Sequence, residues 1–417
     1  MNNFKLGFIG AGFIAHFQAE AMRMVRDVEV AGVYSVADAE TFSDWIKEQN
    51  LGPCKVYASV RELCQNVDAV AIFSPNYSRL DCFKEIAEAV SAGAPLKGII
   101  CEKPLGRTIA EAEEIVAIAK RMQIPTSYFE NQLHMKAIQR QRLQLAPQQA
   151  AMGPLSLVRC AEEHGGPHNG WFWDPVKQGG GVLADMGCHS IAVAWYLLTP
   201  LGKPMNFLEP VSVSAELGLL KWGQKKYRDK LIEKFGVDYS KTPAEDFATG
   251  VVTFRNPETG QLSMGQFTNS WMYDKQGLRL MMDGLGPGYA FEVNTLASPL
   301  EVFIGDEAMD AVADAEAALE KSTASRGLLS VIPNEADMYG YVDELVDAVK
   351  AFKAKRDAFV NLAFGLEITK LTQAAYMAAE EKRTLDLTSE ETQNRLKTYN
   401  SLIAQGRGRE TLHVPGC

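Results

Sequence analysis

Leu6-Gly7-Phe8-Ile9-Gly10-Ala11-Gly12-Phe13-Ile14-Ala15 decides the fold of this chain: a short apolar run ends in a GxGxxA turn, and a helix-forming segment opens directly behind it. In a strand, turn and helix of this kind the first glycine, Gly10, permits the tight turn. The second, Gly12, lets a pyrophosphate reach the backbone, and the small Ala15 allows helix and strand to pack closely. The helix start at Phe13 and Ile14 supplies unpaired N–H groups and the positive end of its dipole to phosphates. A glycine-rich turn with only a structural job is the alternative, and the strand and helix in register favour the dinucleotide.

Outward from this turn, short apolar runs alternate with segments of helical period. The runs are Leu6 to Ile9, Val28 to Tyr34, Val67 to Phe73, Lys97 to Cys101 and Pro125 to Phe129. Between them lie helices over Ala15 to Val25, Ala39 to Gln49, Leu80 to Ala92 and Thr108 to Met122, the last opened by a Thr108–Glu111 capping box. That rhythm is α/β, a doubly wound parallel sheet, and it predicts a Rossmann domain over residues 1–129. From Leu155 the texture changes to strands without intervening helices: Leu155 to Cys160, Val211 to Leu220, Thr249 to Arg255, Gln261 to Ser270 and Leu278 to Met282. Asn256-Pro257-Glu258-Thr259-Gly260 is turn chemistry between the third and fourth. The expectation for 130–417 is an α+β domain with a mixed, largely antiparallel sheet, a helix through Gly181 to Leu198, and closing helices over Ala336 to Lys353 and Leu362 to Glu381. Segments 222 to 245 and 305 to 325 read as charged surface insertions.

The bulk numbers narrow the function. A net charge of −10 over 417 residues opposes binding to a phosphate backbone, so no nucleic-acid partner is expected. Seven cysteines without a CxxC pair argue against a zinc ribbon or a disulfide framework, and for a reducing compartment. The start of the chain reads neither as a signal peptide nor as a membrane span, and the expectation is a cytoplasmic protein. No metal is expected, because the histidines show no regular ligand spacing.

Two further motifs carry chemistry. Glu102-Lys103-Pro104 follows a strand, so a carboxylate and an ammonium emerge at the edge of a parallel sheet where ligands bind. In Gly179-Gly180-Gly181-Val182-Leu183-Ala184-Asp185-Met186-Gly187-Cys188-His189, Asp185 and His189 stand four apart, on one face of a helix. Three successive glycines are unfavourable unless the backbone must approach something closely, and they point to a site. A solvated Asp–His pair and a surface lysine are the plainer readings of the same residues.

Together the glycine turn, the EKP triplet and the GGGxLxDxGxH segment resemble the glucose-fructose oxidoreductase, inositol dehydrogenase and rhizopine-catabolism (Gfo/Idh/MocA) family. Ser74-Pro75-Asn76, Glu245-Asp246, and Gly340-Tyr341 with Glu344 agree with it. The resemblance implies a nicotinamide-dependent dehydrogenase acting on a sugar or cyclitol hydroxyl, with Lys103, Asp185 and His189 as its catalytic set and a Lys–Pro bond that is often cis. It implies a second-domain sheet that mediates homo-oligomers, here a dimer or tetramer. A histidine titrating near neutrality suits the base that takes the hydroxyl proton, which is His189's expected role. Lys103 would stabilise charge on the reacting oxygen and Asp185 would orient the substrate.

The cofactor is expected to be NAD. The second strand ends at Ser35, which tolerates a 2′-phosphate, but Val36, Ala37 and Asp38 bring no arginine, so NADP stays open. By position Ser74, Pro75, Asn76, Glu102 and Lys103 would join Gly10, Gly12, Phe13 and Ile14 on the cofactor. The loop holding His164, His168, Trp171 and Trp173 looks like a pocket wall for a polyol, with a hydrophobic plug as the equal alternative for both tryptophans. Glu130 and Asn131, and less distinctly Asn269 and Trp271, would approach the substrate. Two other functions compete: redox-neutral, NAD-dependent glycoside cleavage through a transient keto-sugar, and a non-catalytic dinucleotide sensor.

Overall fold

A computed structural model of the chain describes residues 3–275, 277–297, 301–304, 327–330 and 334–416. The segment 305 to 325, read as an insertion, lies outside the described residues. The chain forms two compact units, residues 1–136 with 336–369 and residues 137–335 with 370–417. The single boundary expected at 129/130 overlooks the return of 336–369 to the first unit. Apolar burial explains it: the helix Tyr341–Lys353 packs on the helix Phe13–Ala21, and Phe352 lies against Gly98 so closely that a Cβ there would sit 2.1 Å from its ring.

The first unit is built on β1 (Phe4–Ile9), β2 (Val28–Tyr34), β3 (Lys55–Val56), β4 (Ala69–Ile72), β5 (Gly98–Glu102) and β6 (Thr126–Phe129). The strands run parallel in the order β3-β2-β1-β4-β5-β6. This is the doubly wound order, reversing between β1 and β4, where ligands bind at the carboxyl ends of the strands. Every residue of β4 and β5 is buried, as a parallel sheet covered on both faces requires. β3 has two residues, too few to show a period. At Thr108 the side chain caps the helix Ile109–Met122 by accepting the Glu111 amide at 3.2 Å. Glu111 in turn reaches the amide of Arg107 at 2.9 Å, so the box closes one residue earlier than expected.

The second unit holds β7 (Leu157–Glu163), β8 (Glu209–Gly218), β9 (Phe247–Arg255), β10 (Leu262–Ser270), β11 (Arg279–Gly286), β12 (Tyr289–Asn294), the antiparallel pair β13 (Glu301–Ile304) and β14 (Gly327–Ser330), and β15 (Leu385–Asp386). Its large sheet has the order β12-β11-β7-β10-β9-β8-β15, antiparallel except where β7 and β10 run parallel. β12, unread in the sequence, alternates half-buried and exposed residues and, among the described residues, pairs only with β11. The turn between β9 and β10 closes as its composition predicts, with the Asn256 side chain accepting the amides of Glu258 at 2.9 Å and Thr259 at 3.2 Å.

The helix Cys188–Leu198 lies on β7 and β10 with every residue buried. It does not begin at Gly181 as one regular helix: Leu183–Gly187 is a π turn, and the α-helix starts behind it. At the other end the guanidinium of buried Arg142 donates to the carbonyls of Tyr196 at 2.6 Å and Thr199 at 2.8 Å, satisfying acceptors that a helix end leaves open. Residues 175–198 are long and apolar enough to cross a membrane by composition, and an 18-residue window of that span is wholly buried inside the protein.

Candidate functional site

On the first unit the expected cofactor residues stand at four neighbouring strand ends: Ser35 after β2, Gly10 to Ile14 after β1, Ser74 to Asn76 after β4, and Glu102 with Lys103 at the end of β5. Gly10 has φ +110°, and a Cβ there would meet the Phe73 carbonyl carbon and the Ser74 nitrogen at 2.9 Å. Only glycine allows this approach. Gly12 differs. It caps the helix Phe13–Ala21 in extended conformation without a side-chain cap, and a Cβ on it would meet nothing within 4 Å. The open space in front of a helix N-terminus is what a pyrophosphate needs, so these residues fit a dinucleotide. After β2, Ser35 is half-buried, its hydroxyl 3.4 Å from the Ala37 amide, and Val36 is 94% exposed.

Asn76 is buried at the start of a short turn. The Lys103–Pro104 peptide is cis, as the resemblance implied. Buried Arg79 donates to the Lys103 carbonyl at 2.7 Å and to the Pro104 carbonyl. Glu102 accepts the Lys103 amide at 3.0 Å through Oε2 and Gln18 Nε2 at 3.3 Å through Oε1. The same Gln18 nitrogen donates to Glu344 at 2.8 Å, so one amide ties together two buried carboxyls. Burial, then the Glu102 charge, pushes the Glu344 carboxyl well above its ordinary range. Glu130 is buried, and the Asn131 amide donates to the Tyr339 carbonyl at 2.8 Å.

On the second unit Asp185 sits inside the π turn and accepts the Trp271 indole N–H at 3.3 Å. His164 accepts the Gly166 amide on Nδ1 at 3.0 Å, so its neutral ring carries the proton on Nε2, which faces Asp185 at 3.9 Å. His189 follows in the first turn of the helix Cys188–Leu198, buried. His164, Asp185 and Trp271 are thus brought together, and Asn269 bonds Ser190 beside His189 at 2.9 Å. Trp271 is fully buried and serves as Asp185's donor and as core, not as a surface for a ligand.

Two sequence expectations need correction here. Trp173 is not a pocket wall: its ring is buried against Trp222, Trp271 and Tyr239, with its N–H on the Pro167 carbonyl at 3.0 Å. His168 is exposed, and half-buried Trp171 stacks on Phe172 at 3.8 Å, so solvent-exposed aromatic surface lies on the outer part of this loop. The run Gly179–Gly181 does not make room for a ligand. A Cβ on Gly180 would meet the Tyr376 hydroxyl at 2.1 Å, and one on Gly181 the Glu245 carbonyl oxygen at 2.2 Å. Tyr376 and Gln18 were not legible as site-supporting residues, because their partners lie 195 and 326 residues away.

Residues 4–128 match the oxidoreductase family with an NAD-binding Rossmann fold, and residues 141–283 match the GFO/IDH/MocA C-terminal domain. The chain is 27% identical over 198 residues to glucose-6-phosphate 3-dehydrogenase of Bacillus subtilis, covering 46% of this chain and 53% of that one. It is 25% identical over 198 residues to myo-inositol 2-dehydrogenase of Thermotoga maritima, covering 46% of this chain and 54% of that one. The chain therefore matches about half the length of these relatives. In fold it is similar to the solved structure of GenD2 from gentamicin A biosynthesis in complex with NAD, with a TM-score of 0.72 at 20% identity over 93% of this chain and 97% of the other. With its glycine turn, its EKP triplet and both domains accounted for, the chain belongs to the Gfo/Idh/MocA oxidoreductase family, residues 4–128 forming the family's NAD-binding Rossmann domain.

Proposed function

We propose that this chain is a nicotinamide-dependent dehydrogenase that oxidises a secondary hydroxyl of a sugar, sugar derivative or cyclitol. The observation that carries the reading is the arrangement on one sheet edge: the open Gly12 turn after β1 and Lys103 after β5 flank β4 with its buried Asn76. The related sugar and inositol dehydrogenases support the substrate class. Bound NAD supplies a hydride acceptor. In this reading His189 is the base for the hydroxyl proton, Asp185, held by Trp271, orients the alcohol, and Lys103 is the cation that stabilises developing negative charge. His168 and Trp171 are the ligand-facing part of the loop, with Glu130 and Asn131 as further substrate residues. NAD is favoured over NADP because Ser35 to Asp38 bring no cation to a 2′-phosphate.

Absorbance of reduced nicotinamide, followed across sugars, inositols and anhydrosugars with NAD and with NADP, tests this. Net reduction by at least one polyol, stronger with NAD, is the expected result. A flat response across the panel with both cofactors sinks the reading. The second-unit sheet presents half-exposed Met264 and exposed Leu262, and a second copy of the chain, in a dimer or tetramer, is the proposed partner for that face. Light scattering of the purified protein decides this. Six cysteines, all buried and none in a disulfide among the described residues, support a reducing, cytoplasmic setting.

A further inference from the structure

We infer that Glu245 and Tyr376 are positioning residues that fix the backbone of the Asp185–His189 segment; this rests on reading Asp185 and His189 as the pair that handles the substrate. A helix start leaves its first amides without partners. Here these are the amides of Gly181, Val182, Leu183 and Ala184, and two residues take all four. Glu245 Oε1 accepts Gly181 and Leu183, each at 3.0 Å, and the Glu245 carbonyl accepts Val182 at 3.0 Å. The Tyr376 hydroxyl accepts Ala184 at 3.1 Å and Gly181 at 3.2 Å, and donates to Glu245 Oε1 at 2.6 Å. Both side chains are buried, and Gly180 and Gly181 are the only residue type that admits them at this distance.

The neighbouring carboxylate works on the same aspartate from another direction. Asp246 accepts the amides of Leu220 at 2.7 Å, Lys221 at 2.8 Å and Trp222 at 2.6 Å. Trp222 donates its indole N–H to the Trp271 carbonyl at 2.7 Å, and Trp271 donates to Asp185. Glu245 sets the backbone before Asp185 while Asp246 sets the indole bonded to it. A latch of this kind controls where Asp185 and His189 point, and a displacement of about 1 Å at such a group costs roughly a hundredfold in rate.

The test uses the full chain and three variants. Tyr376→Phe keeps the ring in the core and removes only the hydroxyl, whereas Glu245→Ala removes the acceptor and Glu245→Gln retains one. Hydrogen exchange of residues 181–187 is expected to speed up by about tenfold or more in Tyr376→Phe and Glu245→Ala, with β9 and β10 unchanged, since each 1.4 kcal/mol of lost local protection is tenfold. With the polyol that the parent chain oxidises, kcat is expected to fall by about ten- to a hundredfold while KM for NAD stays within about twofold. Glu245→Gln is expected to restore kcat to within about threefold of the parent. Unchanged exchange in Tyr376→Phe overturns the proposal. So does a general loss of protection through β9 and β10, or a rise in KM for NAD that matches the fall in kcat. If the parent chain oxidises no polyol, the functional reading fails by that result, and the exchange measurement by itself decides the latch.

Discussion

Two glycine-rich turns precede helices in this molecule, and they do opposite things. Around Gly12 the space beside the backbone is empty, and the helix start has no side-chain cap. Around Gly180 and Gly181 the same kind of space is filled by Tyr376 and Glu245. In sequence the two runs give the same signal, a backbone that something must approach. The structure separates them: in the first unit the space beside Gly12 is open, as a dinucleotide requires, and in the second the approaching group is the protein itself.

The largest expected effect tests which turn serves the chemistry. His189→Ala should lower turnover by roughly two to four orders of magnitude and leave NAD affinity nearly intact, the usual weight of acid/base assistance. Steady-state rates beside a calorimetric NAD titration check both halves. An equal loss of NAD binding would break the division of labour between the two turns.

Next in size is stability. Gly181→Ala places a methyl group 2.2 Å from the Glu245 carbonyl oxygen and should destabilise the fold by about 3 kcal/mol or more. A thermal melt that hardly moves would show that the second turn is roomier than described. A pH series sharpens the same point. Burial pushes the Glu245 carboxyl from 4.5 up to about 7, against the hydrogen bonds from Tyr376, Leu183 and Gly181, and the groups that feel its charge are the phenols of Tyr239, Tyr376 and Tyr399. The folded chain then binds more protons than the unfolded one between these values, so stability falls as pH rises from about 4.5 to about 7, by on the order of 3 kcal/mol. In Glu245→Gln that part of the slope should vanish, as urea midpoints at pH 5 and pH 8 would show.

The smallest effect belongs to the open turn. Gly12→Ala should leave the melting temperature almost unchanged, since its Cβ meets nothing, yet weaken NAD binding by about tenfold, or 1.4 kcal/mol. Unaltered NAD affinity would argue that the pyrophosphate does not pass over Gly12.

The first unit was legible because its signals are local. A strand, a turn and a helix follow one another within Leu6–Ala15, and the Thr108 cap lies three residues from its partner. The second unit was legible in class but not in detail. β12 is a six-residue ribbon of alternating exposure at the edge of its sheet, and the parallel pairing of β7 with β10 inside an antiparallel sheet has no local mark. Asp185 and His189 were visible as a pair, but the π turn that carries Asp185 was not, since its amides are taken by residues distant in sequence. The tryptophans divide in the same way: residue type cannot tell buried Trp173 from half-exposed Trp171 two positions away.

Arg142 extends this to engineering. Its planar guanidinium lies 4.3 Å over the Tyr196 ring while donating to the Tyr196 and Thr199 carbonyls, a shape lysine cannot imitate. With Glu245 and Tyr376 at the opposite end, the rod from Leu183 to Leu198 is clamped at head and tail, and its sides are buried throughout. On the proposed function, exposed His168 and half-buried Trp171 are where mutational libraries would retune the choice of polyol without unseating the rod.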